Sequence, residues 1–266
     1  MHEDLKDGKY EHWQYESFYV CDPKRRHIHK PSVRDRLVHH AIVRVIEPLF
    51  YRQFIYDSWS CRKGKGTHGA VGRFQKFAWI LSRNDTRTVW VLKLDIRKFF
   101  DNVDQEVLFE ILSRTVADKM TMALLRNILK SFPKGIPLGN LTSQLFANVC
   151  LNELDQFVKH ELRSHSYLRY CDDFVLLNQD RKVLESALPC IQTFLSVQLR
   201  LVLHPDKIIL DRYHHGIDFL GFVCFPHHRI LRTKTKRRML KRINTNNLTS
   251  YPGLLKRCRS CGVGGI

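Results

Sequence analysis

Two apolar segments that carry acids constrain this chain more than any other feature. Residues 89–96 (VWVLKLDI) are β-branched and apolar with Asp95 near the end, and residues 167–177 (YLRYCDDFVLL) predict a strand, a turn at Asp172 and Asp173, and a second strand. Segments this apolar are typical of strands buried in a sheet. Because a buried carboxylate without a partner is costly, acids placed there need a compensating cation. The alternative is that Asp95 and Asp173 are ordinary turn residues beside an exposed Asp172.

Carboxylate oxygens are the hard ligands that Mg²⁺ prefers, and Mg²⁺ bound in this way keeps positions open for substrate phosphates. Two such ions about 3.5–4 Å apart activate an attacking hydroxyl and stabilise the leaving oxygen in phosphoryl transfer. The acids therefore indicate metal-dependent chemistry on a phosphate ester.

The charge balance of the chain predicts a polyanionic partner. Its 266 residues hold 44 Lys and Arg against 26 Asp and Glu, a net charge of +18, and from Phe219 to the C-terminus there are eleven Lys or Arg and no acid. Nucleic acid and anionic membrane are the usual partners of such a surface. The absence of an apolar run of about eighteen residues argues against a membrane span. A charged N-terminus over Met1–Lys9 and eight scattered Cys favour a cytoplasmic protein with reduced thiols.

Periodicity predicts an α+β fold with a mainly antiparallel sheet. Residues 1–30 mix charged with aromatic residues, and Pro48 is expected to end the first long helix. Helices are predicted over 34–50, 69–81, 105–114, 119–130, 142–162, 181–197 and 234–243, and further strands around 201–204, 207–210 and 218–225.

Four motifs in order resemble those of reverse transcriptases. Residues 94–101 (LDIRKFFD) resemble the first catalytic motif of that family, and residues 170–173 (YCDD) resemble its Tyr-x-Asp-Asp turn. Residues 135–144 lie where the family has a loop and helix facing the template and nucleotide. Residues 219–222 (FLGF) resemble its primer-contacting hairpin. The matches run from about Arg25 to Phe225, which is most of the chain.

The resemblance implies a right-hand polymerase fold. Fingers are expected over 1–88, a palm with an antiparallel sheet over 89–225 with an inserted helical segment at 115–140, and a short basic thumb over 226–266. It also implies that Asp95 and Asp172 hold two Mg²⁺ ions, or Mn²⁺ in their place, with the Ile96 carbonyl as a further ligand and Asp173 as a more peripheral catalytic carboxylate.

Further site residues follow from the resemblance. Phe100 is expected beneath the sugar of the incoming nucleotide, where a ring leaves no volume for a 2′-hydroxyl; the alternative is an ordinary core Phe. A Gly-rich basic loop occupies residues 61–68 (CRKGKGTH), and its cations are expected at the triphosphate, or else to form a solvated loop. Lys207 is expected to protonate pyrophosphate or to be a surface lysine. The nucleotide set is Arg62, Lys63, Lys65, Phe100, Leu138, Gly139, Gln144 and Lys207, and the primer–template set is Tyr170, Phe219, Leu220, Gly221, Lys236, Arg237 and Arg238.

The loop at 138–144 departs from the commonest family pattern. Leu138-Gly139 stands where most members have Gln-Gly, and Ser143-Gln144 where they have Ser-Pro. This form resembles the enzymes of diversity-generating retroelements, which copy a template RNA with errors at adenines. The hypothesis is that Leu138 removes an amide contact near the nascent base pair, so that selection rests more on shape.

The resemblance implies template RNA, an RNA–DNA hybrid and deoxynucleoside triphosphates as partners, and a small basic accessory protein, often a pentamer. A bacterial or phage-encoded source follows from the same resemblance. The alternatives are a retron-like or phage-defence reverse transcriptase, or a catalytically silent RNA-binding scaffold. Cys258 and Cys261 are expected as free thiols, because a zinc site would have to borrow ligands such as His227 and His228.

Overall fold

The fold was analysed on a computed structural model, which describes residues 1–21 and 25–242. The described part alternates helices with short strands. Its helices are α1 (His2–Lys6), α2 (Val33–Tyr51), α3 (Thr67–Leu81), α4 (Phe99–Asn102), α5 (Gln105–Ser113), α6 (Lys119–Lys130), α7 (Leu141–Gln156, continued as a π-helix over Phe157–Glu161), α8 (Arg181–Gln198) and α9 (Thr233–Arg242). Its strands are β1 (Glu16–Val20), β2 (Arg26–Lys30), β3 (Ser58–Trp59), β4 (Trp90–Asp95), β5 (Tyr167–Tyr170), β6 (Asp173–Asn178), β7 (Ile209–Arg212), β8 (Ile217–Phe219), β9 (Phe222–Cys224) and β10 (Arg229–Leu231).

A five-stranded sheet in the order β3-β5-β6-β4-β7 organises the chain. Its pairs are antiparallel except for the two-residue pair of β3 with β5. In the central pair, Trp90 lies opposite Asn178 and Asp95 opposite Asp173. This register brings the end of β4 and the start of β6 to the same edge of the sheet.

Both faces of this sheet are covered, which explains why β4 and β6 are almost continuously apolar. Leu92 and Leu94 of β4 point into a core formed with α2, α5, α7 and α8. Val91, on the other face of the strand, packs into a second core with α3 and the three-stranded sheet β10-β9-β8. Because successive side chains of a strand point to opposite faces, β4 contributes residues to both cores.

Three sequence predictions of secondary structure were wrong in detail. Pro48 lies inside α2, which continues to Tyr51 because Phe50 is buried in the first core. The strand predicted at 201–204 is absent, and Leu203 makes only an isolated bridge to Ile96. The strand predicted at 207–210 begins later, as β7, because Lys207 lies on a 3₁₀ turn over Pro205–Lys207. The segment predicted as one strand at 218–225 is a hairpin, β8 and β9, that turns at Leu220 and Gly221.

The predicted division into fingers, palm and thumb places its first boundary after residue 88. In the structure, β3 extends the five-stranded sheet and α3 packs against that sheet, so residues 58–81 share a core with the predicted palm. Within residues 1–21 and 25–242, no helix has the length and apolarity needed to cross a membrane. Cys258 and Cys261 lie outside the described residues.

Candidate active site

The sheet edge brings the three acids together. Asp95 ends β4, Asp173 begins β6 as its cross-strand partner, and Asp172 occupies the turn between β5 and β6. The amide of Ile96 donates to the carbonyl of Asp172 at 3.3 Å, which ties the end of β4 to this turn. Asp95 is buried, at 7% exposure. Two segments about 75 residues apart in sequence therefore form one acidic site through β pairing.

Burial perturbs two of these carboxyl groups. It raises the pKa of Asp172, and the neighbouring Asp95 raises that pKa further. It raises the pKa of Asp173 to about 6, while the ammonium of Lys93, 3.9 Å from the carboxylate, acts in the opposite direction. Lys207 donates from Nζ to Asp95 Oδ1 at 2.6 Å. The nearby lysines thus compensate the acids only in part, which is the condition that favours a bound cation.

The donor chemistry of these acids suits a hard divalent ion. Carboxylate oxygens from Asp95, Asp172 and Asp173 are the ligand type that Mg²⁺ takes. Among the described residues, however, no three acid, imidazole or thiol groups are already gathered around a common point. In this structure Lys207 lies on Asp95, so metal binding would require that carboxylate to exchange its partner.

A cleft of about 870 Å³ opens at the acids. It contains residues from the turn, the 135–144 loop, the start of α7 and the C-terminal hairpin. The predicted site residues that line it are Phe100, Leu138, Gly139, Gln144, Tyr170, Asp172, Asp173 and Leu220. The cleft therefore brings half of the predicted nucleotide set, namely Phe100, Leu138, Gly139 and Gln144, together with Asp172 and Asp173.

One wall of the cleft comes from the N-terminal hairpin β1–β2, which sequence reasoning did not predict. Arg25, Arg26, His27 and His29 line the cleft. The ring of His27 stacks on Tyr19 at 4.5 Å between centroids, and the guanidinium of Arg25 lies 4.0 Å from the centre of the same Tyr19 ring. The period-two alternation of His27 and His29 in residues 26–30 (RHIHK) was the available signal.

The hairpin is fastened to the loop that carries Leu138. The amide of His29 donates to the Leu138 carbonyl at 2.9 Å. Gly139 has φ +117°, and a Cβ there would lie 2.9 Å from a methyl of Ile28. A glycine is therefore needed where the loop meets β2. This contact places Leu138 at the cleft surface, next to the basic hairpin wall.

Phe100 is half-buried and lines the cleft. Its ring meets the buried ring of Phe99 edge to face, with centroids 5.3 Å apart. Its carbonyl accepts from the amide of Ile136 at 2.8 Å, so the backbone of α4 is fixed by the 135–144 loop. Phe100 therefore lines the cleft and Phe99 is the core residue of the two, and contact of Phe100 with a sugar stays a prediction.

The basic loop reaches the cleft at Cys61, but its cations Arg62, Lys63 and Lys65 do not line it. Arg62 donates from Nη1 to the carbonyls of Ile55 and Ser58, at 2.9 and 2.8 Å, and Lys65 donates to the carbonyl of Tyr56 at 2.7 Å. These cations hold the loop against the segment that precedes it, whereas Lys63 is exposed. Triphosphate contact by the three residues stays a prediction.

The predicted primer contacts divide between surface and core. The predicted primer contact by the Phe219 side chain does not fit the structure, because that side chain is fully buried and offers no surface to a primer. Its ring centroid lies 5.2 Å from that of Phe74. Leu220 and Gly221 form the hairpin turn, with Leu220 in the cleft. On α9, buried Met239 anchors the helix and Lys236 and Arg237 are exposed, while Arg238 is half-buried. The tyrosine before the turn, Tyr170, shares a hydrogen bond of 3.0 Å with Thr67.

Comparison with known families identifies the family of this chain. A profile of the family described as reverse transcriptase (RNA-dependent DNA polymerase) matches residues 21–224, which contain all three acids and the cleft. The chain belongs to the reverse transcriptase family. The predicted reverse transcriptase identity and RNA-directed DNA polymerase class are thereby confirmed.

Related sequences agree with the family. Protein YkfC of Escherichia coli K12 is 25% identical over 289 residues, covering 92% of this chain and 74% of that protein. The group II intron-encoded protein LtrA of Lactococcus lactis is 27% identical over 167 residues, covering 58% of this chain and 27% of LtrA. The chain thus spans about three quarters of the length of YkfC but only about a quarter of the length of LtrA.

Solved structures show the same fold. Telomerase from Candida tropicalis, in complex with a fragment of telomeric RNA, superposes with a TM-score of 0.66 at 11% identity, covering 84% of this chain and 45% of that chain. Apo telomerase from the same organism gives a TM-score of 0.64. The predicted α+β right-hand polymerase fold is confirmed.

Proposed function

We propose that this reverse transcriptase synthesises cDNA on an RNA template by metal-dependent nucleotidyl transfer within a diversity-generating retroelement. The observation that carries the catalytic part is the convergence of Asp95, Asp172 and Asp173 at one sheet edge, where Asp172 and Asp173 line a cleft that Arg25 and Arg26 also line. Such a cleft is suited to a primer end and a triphosphate held between acids and cations.

In this proposal Asp95 and Asp172 hold two Mg²⁺ ions, with the Ile96 carbonyl and the more peripheral Asp173 as further donors. Mg²⁺, or Mn²⁺ in its place, would activate the primer 3′-hydroxyl and stabilise charge on the phosphates. The carbonyl of Asp95 itself accepts from the amide of His204 at 2.8 Å, which keeps the strand end in place. Lys207 is close enough to Asp95 to serve as the proton donor to pyrophosphate after it leaves that carboxylate.

The remaining cleft residues orient the nucleotide. Phe100 excludes a 2′-hydroxyl beneath the sugar. Arg25 and Arg26 of the hairpin are candidates for contact with the triphosphate, in addition to the predicted Arg62, Lys63 and Lys65, because they line the cleft and the loop cations do not. The exposed cations Lys236 and Arg237 on α9, with Arg238, are proposed to follow the backbone of the RNA–DNA hybrid.

The diversity-generating assignment is supported by residues 138–144 alone. Leu138 offers an apolar side chain at the cleft, so contact with the nascent pair would depend on shape. A small basic accessory protein, pentameric in such elements, and a cytoplasmic location in a bacterial or phage system are parts of the same proposal.

Primer extension on an RNA template tests the enzymatic proposal. We expect Mg²⁺-dependent extension by the purified protein, and its loss, by about 100-fold or more, in Asp172→Asn, because a carboxylate ligand becomes a neutral amide. Asp180→Asn is a control, since Asp180 caps α8 away from the cleft. Failure of the wild-type protein to extend any primer would favour the RNA-binding scaffold.

Misincorporation opposite template adenine tests the diversity-generating assignment. We expect Leu138→Gln to lower it relative to errors opposite the other three bases. An unchanged error spectrum would contradict the role of Leu138 and leave a retron-like or phage-defence enzyme as the better interpretation.

A further inference from the structure

We propose that Arg169 is a positioning residue whose fully buried guanidinium fixes the peptide of Cys171 and, through it, the turn that carries Asp172. The inference rests on the proposed polymerase function for its kinetic consequences. Its structural basis lies in the contacts beneath the turn.

A buried ion pair joins β5 to α7 directly under the acids. Arg169 and Asp155 both have 0% exposure. The guanidinium donates from Nε to Asp155 Oδ1 at 2.8 Å and from Nη2 to Oδ2 at 2.7 Å, a two-pronged geometry that is strong and directional. Burial lowers the pKa of Arg169, but the charge of Asp155 and its hydrogen bonds more than reverse this, so the side chain stays charged.

The other donors of Arg169 reach three different elements. Nη1 donates to the carbonyl of Cys171 at 3.1 Å and to Oδ1 of Asn148 on α7 at 3.2 Å. Nη2 also donates to Oγ of Ser58 on β3 at 2.9 Å. All five N–H groups of the guanidinium thus have acceptors. A lysine has a single ammonium and cannot reproduce this set.

The turn above Arg169 has a conformation that needs such support. Cys171 has φ +54°, the left-handed region that non-glycine residues rarely adopt. Its amide donates to the carbonyl of Trp59 at 3.3 Å, and the carbonyl of Asp172 accepts from Ile96 at 3.3 Å. Arg169 supplies the donor for the one remaining carbonyl, that of Cys171. Strained backbone persists where its surroundings determine it fully, so removal of this donor should let the turn relax.

Relaxation of the turn would move the neighbouring carboxylate of Asp172. Reacting groups must be placed closely, and a displacement of about 1 Å can lower a rate by about 100-fold. Arg169 therefore acts on the chemical step through Asp172 without touching the substrate. The cleft residues that bind the nucleotide lie on other segments, so nucleotide affinity should change little.

The test compares Arg169→Lys with Tyr167→Phe in the full-length protein. Tyr167 donates to the same Asp155 Oδ1 at 2.7 Å and is also fully buried, yet none of its described hydrogen bonds reaches the turn. We expect Arg169→Lys to lower kcat by about 10- to 100-fold with the nucleotide KM within about twofold, and Tyr167→Phe to leave both within about twofold. In amide hydrogen exchange measured without added metal, the peptide that contains residues 170–173 should exchange faster in Arg169→Lys and at the wild-type rate in Tyr167→Phe.

Two outcomes would overturn the proposal: equal kinetic effects of the two variants, or unchanged exchange of the turn in Arg169→Lys. If Arg169→Lys fails to fold, the double variant Arg169→Met with Asp155→Leu takes its place, because apolar replacement of both partners leaves no unpaired buried charge. It should fold and still show the loss of kcat and the faster exchange. If the wild-type protein extends no primer, the polymerase proposal fails, whereas the exchange measurement still decides the role of Arg169.

Discussion

Two neighbouring histidines, His12 and buried His39, are expected to make the stability of this protein depend on pH. His39 of α2 has 1% exposure, and its Nδ1 lies 3.0 Å from the hydroxyl of Thr142, at the start of α7. Its Nε2 lies 3.1 Å from Nε2 of His12, whose Nδ1 contacts the carbonyl of Trp13. Because a carbonyl only accepts, His12 donates from Nδ1, His39 donates from Nε2 and Thr142 donates to His39. Both rings are neutral in this arrangement.

The size of the effect follows from the pKa of His39. Burial, together with a smaller effect of the neighbouring His12, lowers that pKa from 6.5 to about 4. The unfolded chain therefore binds more protons than the folded chain between these two values. The stabilising contribution of neutral His39 to the free energy of unfolding is fully present above pH 6.5, declines as the pH falls toward 4 and changes no more below it. Lowering the pH from about 7 to about 5 should therefore reduce the free energy of unfolding by about 2 kcal/mol through this group alone.

Urea unfolding followed by circular dichroism at both pH values measures this cost. When the pH is lowered from about 7 to about 5, the free energy of unfolding of His39→Gln should fall by about 2 kcal/mol less than that of the wild-type protein, because the variant lacks the titrating ring. His40→Gln is the matched control, since His40 adjoins His39 in sequence and is exposed. Equal losses in the wild-type protein and His39→Gln would refute the reasoning.

Three further results are expected. Phe100→Val should reduce the preference for deoxynucleotides over ribonucleotides by about 10-fold in competition assays, because the smaller side chain admits a 2′-hydroxyl. Gly135→Ala should lose more than about 1 kcal/mol of unfolding free energy, because φ is +70° and a Cβ would lie 2.2 Å from the carbonyl oxygen of Phe100; Gly64→Ala, at φ +74° with open space around it, separates strain from the clash. Replacing exposed Lys236 by Gln should lower the slope of hybrid affinity against salt by about one, as filter binding at several salt concentrations would show.

The sequence predicted the acids and their setting because both depend on local patterns. An apolar strand with an acid at its end is visible in residues 89–96, and a strand–turn–strand with two acids is visible in residues 167–177. Their pairing required only that neighbouring apolar strands share a sheet. The N-terminus of α5 is local in the same sense, since the carboxylate of Asp104 accepts from the amides of Glu106 and Val107 within its own turn.

The hairpin wall of the cleft could not be predicted in this way. Strand β1 is exposed along its whole length, so no buried face appears in its sequence. Its position is set by ring contacts and by the bond from His29 to Leu138, more than 100 residues along the chain. The burial of Phe219 could not be predicted because a hairpin motif does not show which of its residues faces a core. Pro48 was misjudged because burial of Phe50 outweighs the lost backbone donor.

The two ion pairs beside the catalytic turn differ in a way that suits a metal-dependent site. Arg169 and Asp155 are both fully buried, so breaking their pair would leave an uncompensated charge, at a cost of about 3–5 kcal/mol. Lys207 and Asp95 have side chains exposed by 40% and 10%, and a pair open to water on one side holds together far more weakly. Asp95 can therefore exchange Lys207 for another cation without disturbing the support beneath Asp172. The Arg169–Asp155 pair holds the turn in place, whereas the weaker Lys207–Asp95 pair leaves the Asp95 carboxylate able to change its partner.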